Sequence, residues 1–195
     1  MQSLKAVIVG ISALMFLTGC EAPRENSVAN SVSFSRLPKI NLNVARIEVN
    51  RIYKAPLMAP NVEHEMPEQL IEAADRWISD RLRAVGTYGV ATLSIDKASV
   101  VEVKLKKTEG IHGVFINDQV ERYDVVLSIG IVISKFASHG QAAARTTVRA
   151  SRTISENASI FDREQLWQNL NNQVMVEFNQ AFEARLRRHL GPYLR

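Results

Sequence analysis

One cysteine, Cys20, is all the thiol chemistry in this 195-residue chain. No disulfide can form within it, so its folded part depends on a hydrophobic core even in a compartment that permits bridges. The common catalytic signatures are missing as well. There is no Gly-x-Ser-x-Gly nucleophile turn, no Gly-x-x-x-x-Gly-Lys-Ser/Thr phosphate cradle, no Gly-x-Gly-x-x-Gly dinucleotide turn and no His-Glu-x-x-His zinc motif. The four histidines, His64, His112, His139 and His189, are scattered and not paired at metal-ligand spacing. The uncharged run from Ala6 to Leu17 falls short of the roughly 20 apolar residues that a membrane-spanning helix needs. Internal repeats and low-complexity tracts are absent too.

That short apolar run, with Lys5 just before it, has the layout of a secretory signal. It ends not in a small-x-small cleavage site but in Leu17-Thr18-Gly19-Cys20. This tetrapeptide, at this distance from a basic start, resembles the lipobox of bacterial lipoproteins. The resemblance covers only the leader. It implies that residues 1–19 are a signal peptide cut before Cys20, that the Cys20 thiol carries a diacylglycerol, and that the new amino terminus is acylated, as with palmitate. Acyl chains contribute about 0.8 kcal/mol per buried methylene, so several of them hold a protein on a membrane without a spanning helix. Glu21 stands where aspartate would suggest inner-membrane retention in the enteric sorting pattern. The expected location is therefore the periplasmic face of the outer membrane, with the inner membrane as the alternative. Residues 20–38 read as the lipidated cysteine and a flexible tether rich in Ser, Asn and Ala, although Val28, Val32 and Phe34 leave room for a partly ordered segment.

Residues 39–195 suffice for a single domain with a real core. Asn41 to Tyr53 alternates as a half-buried strand, with Ala45, Ile47, Val49 and Tyr53 on one face. A loop punctuated by Pro56, Pro60 and Pro67 leads to an amphipathic helix carrying Leu70, Ala74, Trp77, Ile78, Leu82 and Val85, with Gly86 as a left-handed cap. Val90 to Leu105 reads as one long strand interrupted by a bulge or bend at Asp96 to Ser99. Tyr123 to Ser134 is the best central strand, and Ala142 to Ile154 a strand with one wet face. A second helix opens with Asp162 and Gln165 as a capping box, carries an apolar stripe from Trp167 to Leu190, and stops at Gly191-Pro192. The expected fold is α+β in the order β-α-β-β-β-α, a mainly antiparallel sheet of about four strands with both helices on one face. The other face is then solvated or a docking surface.

This order behind a lipobox resembles the small periplasmic auxiliary lipoproteins: the lipopolysaccharide-transport partner lipoprotein, the accessory lipoproteins of lipid-transporting ABC systems, and the outer-membrane activators of peptidoglycan synthases. Asn117 to Tyr123, Pro60 to His64 and Asp75 to Trp77 are also similar to an uncharacterised group of proteobacterial lipoproteins. These likenesses imply a location and an auxiliary role, not an activity.

For chemistry, Glu63-His64-Glu65 with Glu68 reads either as convergent metal ligands or as acids near a helix start, where they are stabilising anyway. Asp118 and Glu121 form a carboxylate pair of the kind a hydrolase uses, or simply part of a solvated loop. In the loop Glu109 to Asp118, Ile111, Val114, Phe115 and Ile116 either fold over the core end or meet a partner. The net charge is +4, with Lys5 inside the leader. Arg145, Arg149, Arg152 and the cluster at Arg185 to Arg188 suit anionic lipid, lipopolysaccharide phosphates or an acidic partner, or are a solvated face. An exported chain meets little nucleic acid, so none is expected as a partner. The expectation is a non-enzymatic auxiliary or binding module in envelope assembly or lipid transport, held on the membrane by lipid at Cys20. Its partner is an envelope protein or lipid, met through Phe115, Ile116, Arg145 and Arg149, with no metal and no cofactor. The alternatives are an activator or scaffold of cell-wall synthesis, and an enzyme whose site has no familiar motif.

Overall fold

A computed structural model of the chain describes residues 30–106, 119–134 and 142–195. The chain is α+β. Its elements are β1 (Ile40–Leu42), β2 (Arg46–Arg51), α1 (Leu70–Arg81), β3 (Leu82–Ala84), β4 (Val90–Lys104), β5 (Gln119–Ser134), β6 (Ala142–Ser155) and α2 (Ile160–Leu190). The main sheet runs β2-β4-β5-β6, and β1 and β3 form a second, two-stranded sheet. β4, β5 and β6 are an antiparallel meander, whereas β2 joins β4 in parallel, with Arg46 opposite Val90 and Arg51 opposite Ile95. Parallel neighbours need a crossover too long for a hairpin, and α1 is that crossover.

The core face of the meander is written in its alternation. Tyr123, Val125, Leu127, Ile129, Ile131 and Ile133 on β5 are all buried, as are Leu93, Ile95, Ala98 and Val100 on β4. Parity changes between Ile95 and Ala98 because the ladder shifts register between Ile95 and Lys97, the bulge expected there. Both helices cover this face. Trp77 of α1 meets Phe178 and Phe182 of α2 edge-on, with centroids 5.0 and 5.5 Å away, and Trp167 stands edge-on to Tyr123 at 5.5 Å.

Three local expectations are corrected. The strand expected from Asn41 to Tyr53 is broken at residues 43–45, where the Val44 N–H turns back onto the Leu42 carbonyl at 2.8 Å. The break shifts the inward parity from Leu42 and Val44 to Ile47 and Val49, leaving Ala45 exposed. α1 stops at Arg81, although its periodicity runs on to Val85. Leu82 to Ala84 instead extend and pair with Ile40 to Leu42, so long-range pairing overrides local helix preference. Gly86 is therefore not a left-handed cap. A Cβ on it would lie 2.6 Å from the Asn43 carbonyl carbon and the Val44 nitrogen, so glycine is what permits this close backbone approach. Finally, α2 is capped by Ser159, not Asp162: the Ser159 hydroxyl accepts the Asp162 N–H at 3.1 Å, and the Asp162 carboxylate accepts the Ser159 N–H at 2.8 Å.

Residues 30–38 lie across the helices as a strap. Phe34 is buried and Val32 packs against the core. The Val32 N–H donates to Asn172 Oδ1 at 2.8 Å, and the Phe34 N–H to Asp80 Oδ2 at 3.2 Å. At the far end of the strap the buried Arg81 guanidinium donates to the Pro38 carbonyl, to Glu183 and, at 2.9 Å, to Asn179 Oδ1. The same Asn179 oxygen accepts the Trp77 indole N–H at 3.0 Å. The chain's other end joins this edge too, where the Asn43 N–H reaches the Tyr193 carbonyl and Leu194 bridges Leu42.

Candidate functional site

Covering one sheet face with helices leaves the other open, and the outward positions of β5 and β6 fill it with short polar and cationic side chains. Arg145 sits opposite Gly130, Thr147 opposite Ser128, Arg149 opposite Val126 and Ser151 opposite Asp124. Ser128 and Thr147 share a cross-strand hydrogen bond of 2.9 Å. Most charges here are matched: Arg122 grips Asp124 through two bonds of 2.8 Å, and Arg145 Nε lies 3.1 Å from Asp96 Oδ2. Arg149 has no ion pair among the described residues. It borders a shallow depression of about 440 Å³ together with Asp124, Val126 and Ser151. Of the four expected partner-contact residues, Arg145 and Arg149 thus share one open face. Phe115 and Ile116 lie outside the described residues, as do Cys20, His112, Asp118 and His139.

The other arginines divide. Arg152 turns to the helical side and donates to Gln173 at 3.0 Å. Arg185, Arg188 and His189 line a small hollow of about 130 Å³ near the C-terminal end of α2, where the helix dipole favours cations.

The candidate metal group comes apart in three dimensions. Glu63 is buried, His64 and Glu65 are exposed, and Glu68 is held by Arg76 and by the Ser31 hydroxyl at 2.6 Å. Among the described residues no cluster of three His, Cys, Asp or Glu side chains can hold a metal ion. Glu121 belongs to a different network: Arg163 donates to both Glu121 and the Tyr123 hydroxyl, and that hydroxyl donates to Glu121 at 3.0 Å. Burial, reinforced by the bond to Glu121, pushes the Tyr123 phenol well above its ordinary pKa, with Arg163 opposing. A tyrosine so hard to ionise, tied to an ion pair and edge-on to Trp167, fixes the start of α2 to the sheet.

Sequence reasoning missed the Glu63 pocket. The loop after β2 folds beside β4, with the Val62 N–H on the Val100 carbonyl at 3.0 Å and the Glu102 N–H on the Pro60 carbonyl at 2.8 Å. This carries Glu63 inward, where Oε1 accepts from the Tyr53 hydroxyl at 2.6 Å, Asn61 Nδ2 at 2.8 Å and the Val100 N–H at 2.9 Å. Burial and the neighbouring Glu63 carboxylate raise the Tyr53 pKa far above normal. A cavity of about 260 Å³ adjoins them, bounded also by Ala55, Leu57, Leu70 and Ile71. The clue in the sequence is faint: an acid among prolines looks like any solvated loop acid.

No protein-family model matches the chain, and a search of the curated proteins returns no similar protein. Among the described residues no helix is long and apolar enough to cross a membrane.

Proposed function

We propose that this protein is a lipid-anchored binding module on the periplasmic face of the outer membrane, serving envelope assembly or lipid transport without itself being an enzyme. Cys20 in its lipobox-like setting supports the anchor, and the open sheet face supports the binding role. The single observation that carries the binding surface is Arg149: a cation with no counter-ion among the described residues, beside a depression whose one other charged residue, Asp124, is paired with Arg122. An anionic group of an envelope protein or lipid completes that pairing. Phe115 and Ile116 belong to the same proposal as apolar contacts.

The test is photo-cross-linking in living cells from position 149 and from position 115, alongside fractionation of Cys20→Ala. Capture of one defined envelope protein or of lipopolysaccharide from position 149, together with release of Cys20→Ala from membranes, is the expected result. Capture of nothing from either position removes the binding surface. A Cys20→Ala chain that loses its leader yet stays on the membrane removes the lipid anchor. Catalytic turnover that disappears on substitution of His64 or Asp118, with the fold intact, favours the enzymatic alternative.

A further inference from the structure

The loop after β2 carries an unbroken run without a polar side chain, Pro56-Leu57-Met58-Ala59-Pro60, and all of it is exposed. Leu57 and Met58 stand 64% and 65% open, and among the described residues nothing covers them. Single exposed apolar side chains are ordinary, but a consecutive run of this kind marks a surface that meets something. The tip is held by a fixed turn: the Asn61 N–H bonds the Met58 carbonyl at 3.0 Å, and the Pro60 carbonyl accepts the Glu102 N–H of β4 at 2.8 Å. Within it Leu57 is kept at φ 56°, a left-handed conformation that bulky side chains rarely adopt and that gathers at functional sites.

Contacts place this tip at the end of the molecule where the described chain begins. Leu57 shares a cavity wall with Gln69, Leu70 and Ile71 at the start of α1. Glu68, just before Gln69, accepts the Ser31 hydroxyl at 2.6 Å, and Ser31 follows Asn30, the first described residue. α2 starts at this end as well: Arg163 lies 3.7 Å from Glu102, the strand neighbour of Pro60, and Ile160, which opens the helix, is 78% exposed. Nine residues, 21–29, separate Cys20 from Asn30. A flexible tether of that length spans on average about 15 to 18 Å, whereas α2 with its 31 residues measures about 46 Å. Lipid at Cys20 therefore keeps the apolar tip, and not the far end of α2, next to the bilayer.

We infer that residues 56–60 form a second membrane contact, with Leu57 and Met58 entering the acyl boundary of the bilayer and the exposed Lys54 at the level of the lipid phosphates. The inference rests on the lipid anchor proposed above for bringing this end to the membrane. Several acyl chains already suffice to hold the protein there, so what the tip adds is orientation.

The experiment reconstitutes the purified full chain into vesicles of phosphatidylethanolamine and phosphatidylglycerol, with a fluorescent amino acid at position 58 or, for reference, at position 188 near the far end of α2. Spin labels on the lipid acyl chains are expected to quench position 58 strongly and to leave position 188 bright. Leu57→Asp should remove most of the quenching at 58; aspartate tolerates the left-handed backbone, so the turn is kept. Should that variant misfold, the contrast between positions 58 and 188 in the otherwise unaltered chain still decides. Mass spectrometry of the same sample reads the lipid on Cys20 separately. Lipidated Cys20 with no quenching at 58 would keep the anchor and overturn the contact, and quenching at 58 with a bare Cys20 would keep the contact and remove the anchor. Equal quenching at both positions, or quenching at 58 that a folded Leu57→Asp leaves untouched, would also overturn the contact.

Discussion

At the scale of single residues, Asn179 illustrates how one oxygen holds two elements together. It accepts from the Trp77 indole and from the Arg81 guanidinium, both on α1 and both fully enclosed. Removing it strands two buried donors, each at about 1 to 3 kcal/mol, so Asn179→Ala should destabilise by roughly 2 to 6 kcal/mol in denaturant titration. Asn179→Asp keeps the acceptor and adds a charge against Arg81, and should cost distinctly less. Equal losses in both variants would show that packing volume, not the shared oxygen, is what matters. None of this is legible in the sequence. Asn179 looks like a polar break in the stripe from Val174 to Leu190, because its partners lie about a hundred residues away on another helix. Glu63 is hidden for the same reason: its place depends on loop-to-strand bonds to Val100 and Pro60 that no spacing rule encodes.

Elements are more legible where one periodicity runs long. The β5 stripe and both helical stripes are each carried by many residues, so an error at one position changes little. The three-residue strands β1 and β3 are not legible, since each exists only through the other and neither has a pattern of its own. Helix starts fall between these cases. Asp162 reads as a cap residue but belongs at the other end of its box, because Ser159 three residues earlier completes the reciprocal pair. Ser159→Ala should accordingly lower stability by about 0.5 to 2 kcal/mol, while Gln165→Ala leaves the cap intact. A melting temperature unchanged by Ser159→Ala would show that Ser159 is not the cap.

The strap also belongs to this scale, and its hold depends on pH. Burial alone would raise the Glu68 pKa, but the Arg76 guanidinium and the Ser31 hydroxyl outweigh it and lower the value, with Gln168 adding to the effect. A carboxyl whose folded pKa is depressed contributes stability that is fully present above its unfolded value, about 4.3, and is lost as pH falls through the folded value. The protection of the Val32 and Phe34 amides, corrected for the pH dependence of intrinsic exchange, should therefore fall below about pH 4 before the central strand opens. Glu68→Gln should bring that loss of protection to neutral pH. Exchange that stays slow in Glu68→Gln would mean that the buried Phe34 ring holds the strap by itself; Phe34→Ala, a large-to-small change costing about 3 to 5 kcal/mol, would then be the variant that releases it.

At the scale of the whole molecule, the docked strap sets how far the domain can stand from its proposed anchor. Nine residues, 21–29, separate Cys20 from Asn30, and at about 3.3 to 3.6 Å per residue the ten steps from Cys20 to Asn30 reach no more than about 35 Å. Asn30 is tied to the helical layer, where its carbonyl accepts from Asn172 Nδ2 at 3.0 Å. The helices and the open strand face lie on opposite sides of the sheet, so the described chain enters the domain on the side away from Arg145 and Arg149. For a chain anchored at Cys20 as proposed, a reach this short weighs against a role that requires crossing the cell wall and favours a partner that comes to the protein. Inserting about 20 Gly and Ser residues between Glu21 and Asn30 lengthens the average span of the linker by well over half, since that span grows as the square root of its length. The expected outcome is an unchanged melting temperature and undiminished cross-linking from position 149, because a partner approaching from the periplasm meets the open face at either height. Loss of the cross-link with the fold intact would mean instead that the partner resides in the same membrane and that the short span sets the docking distance.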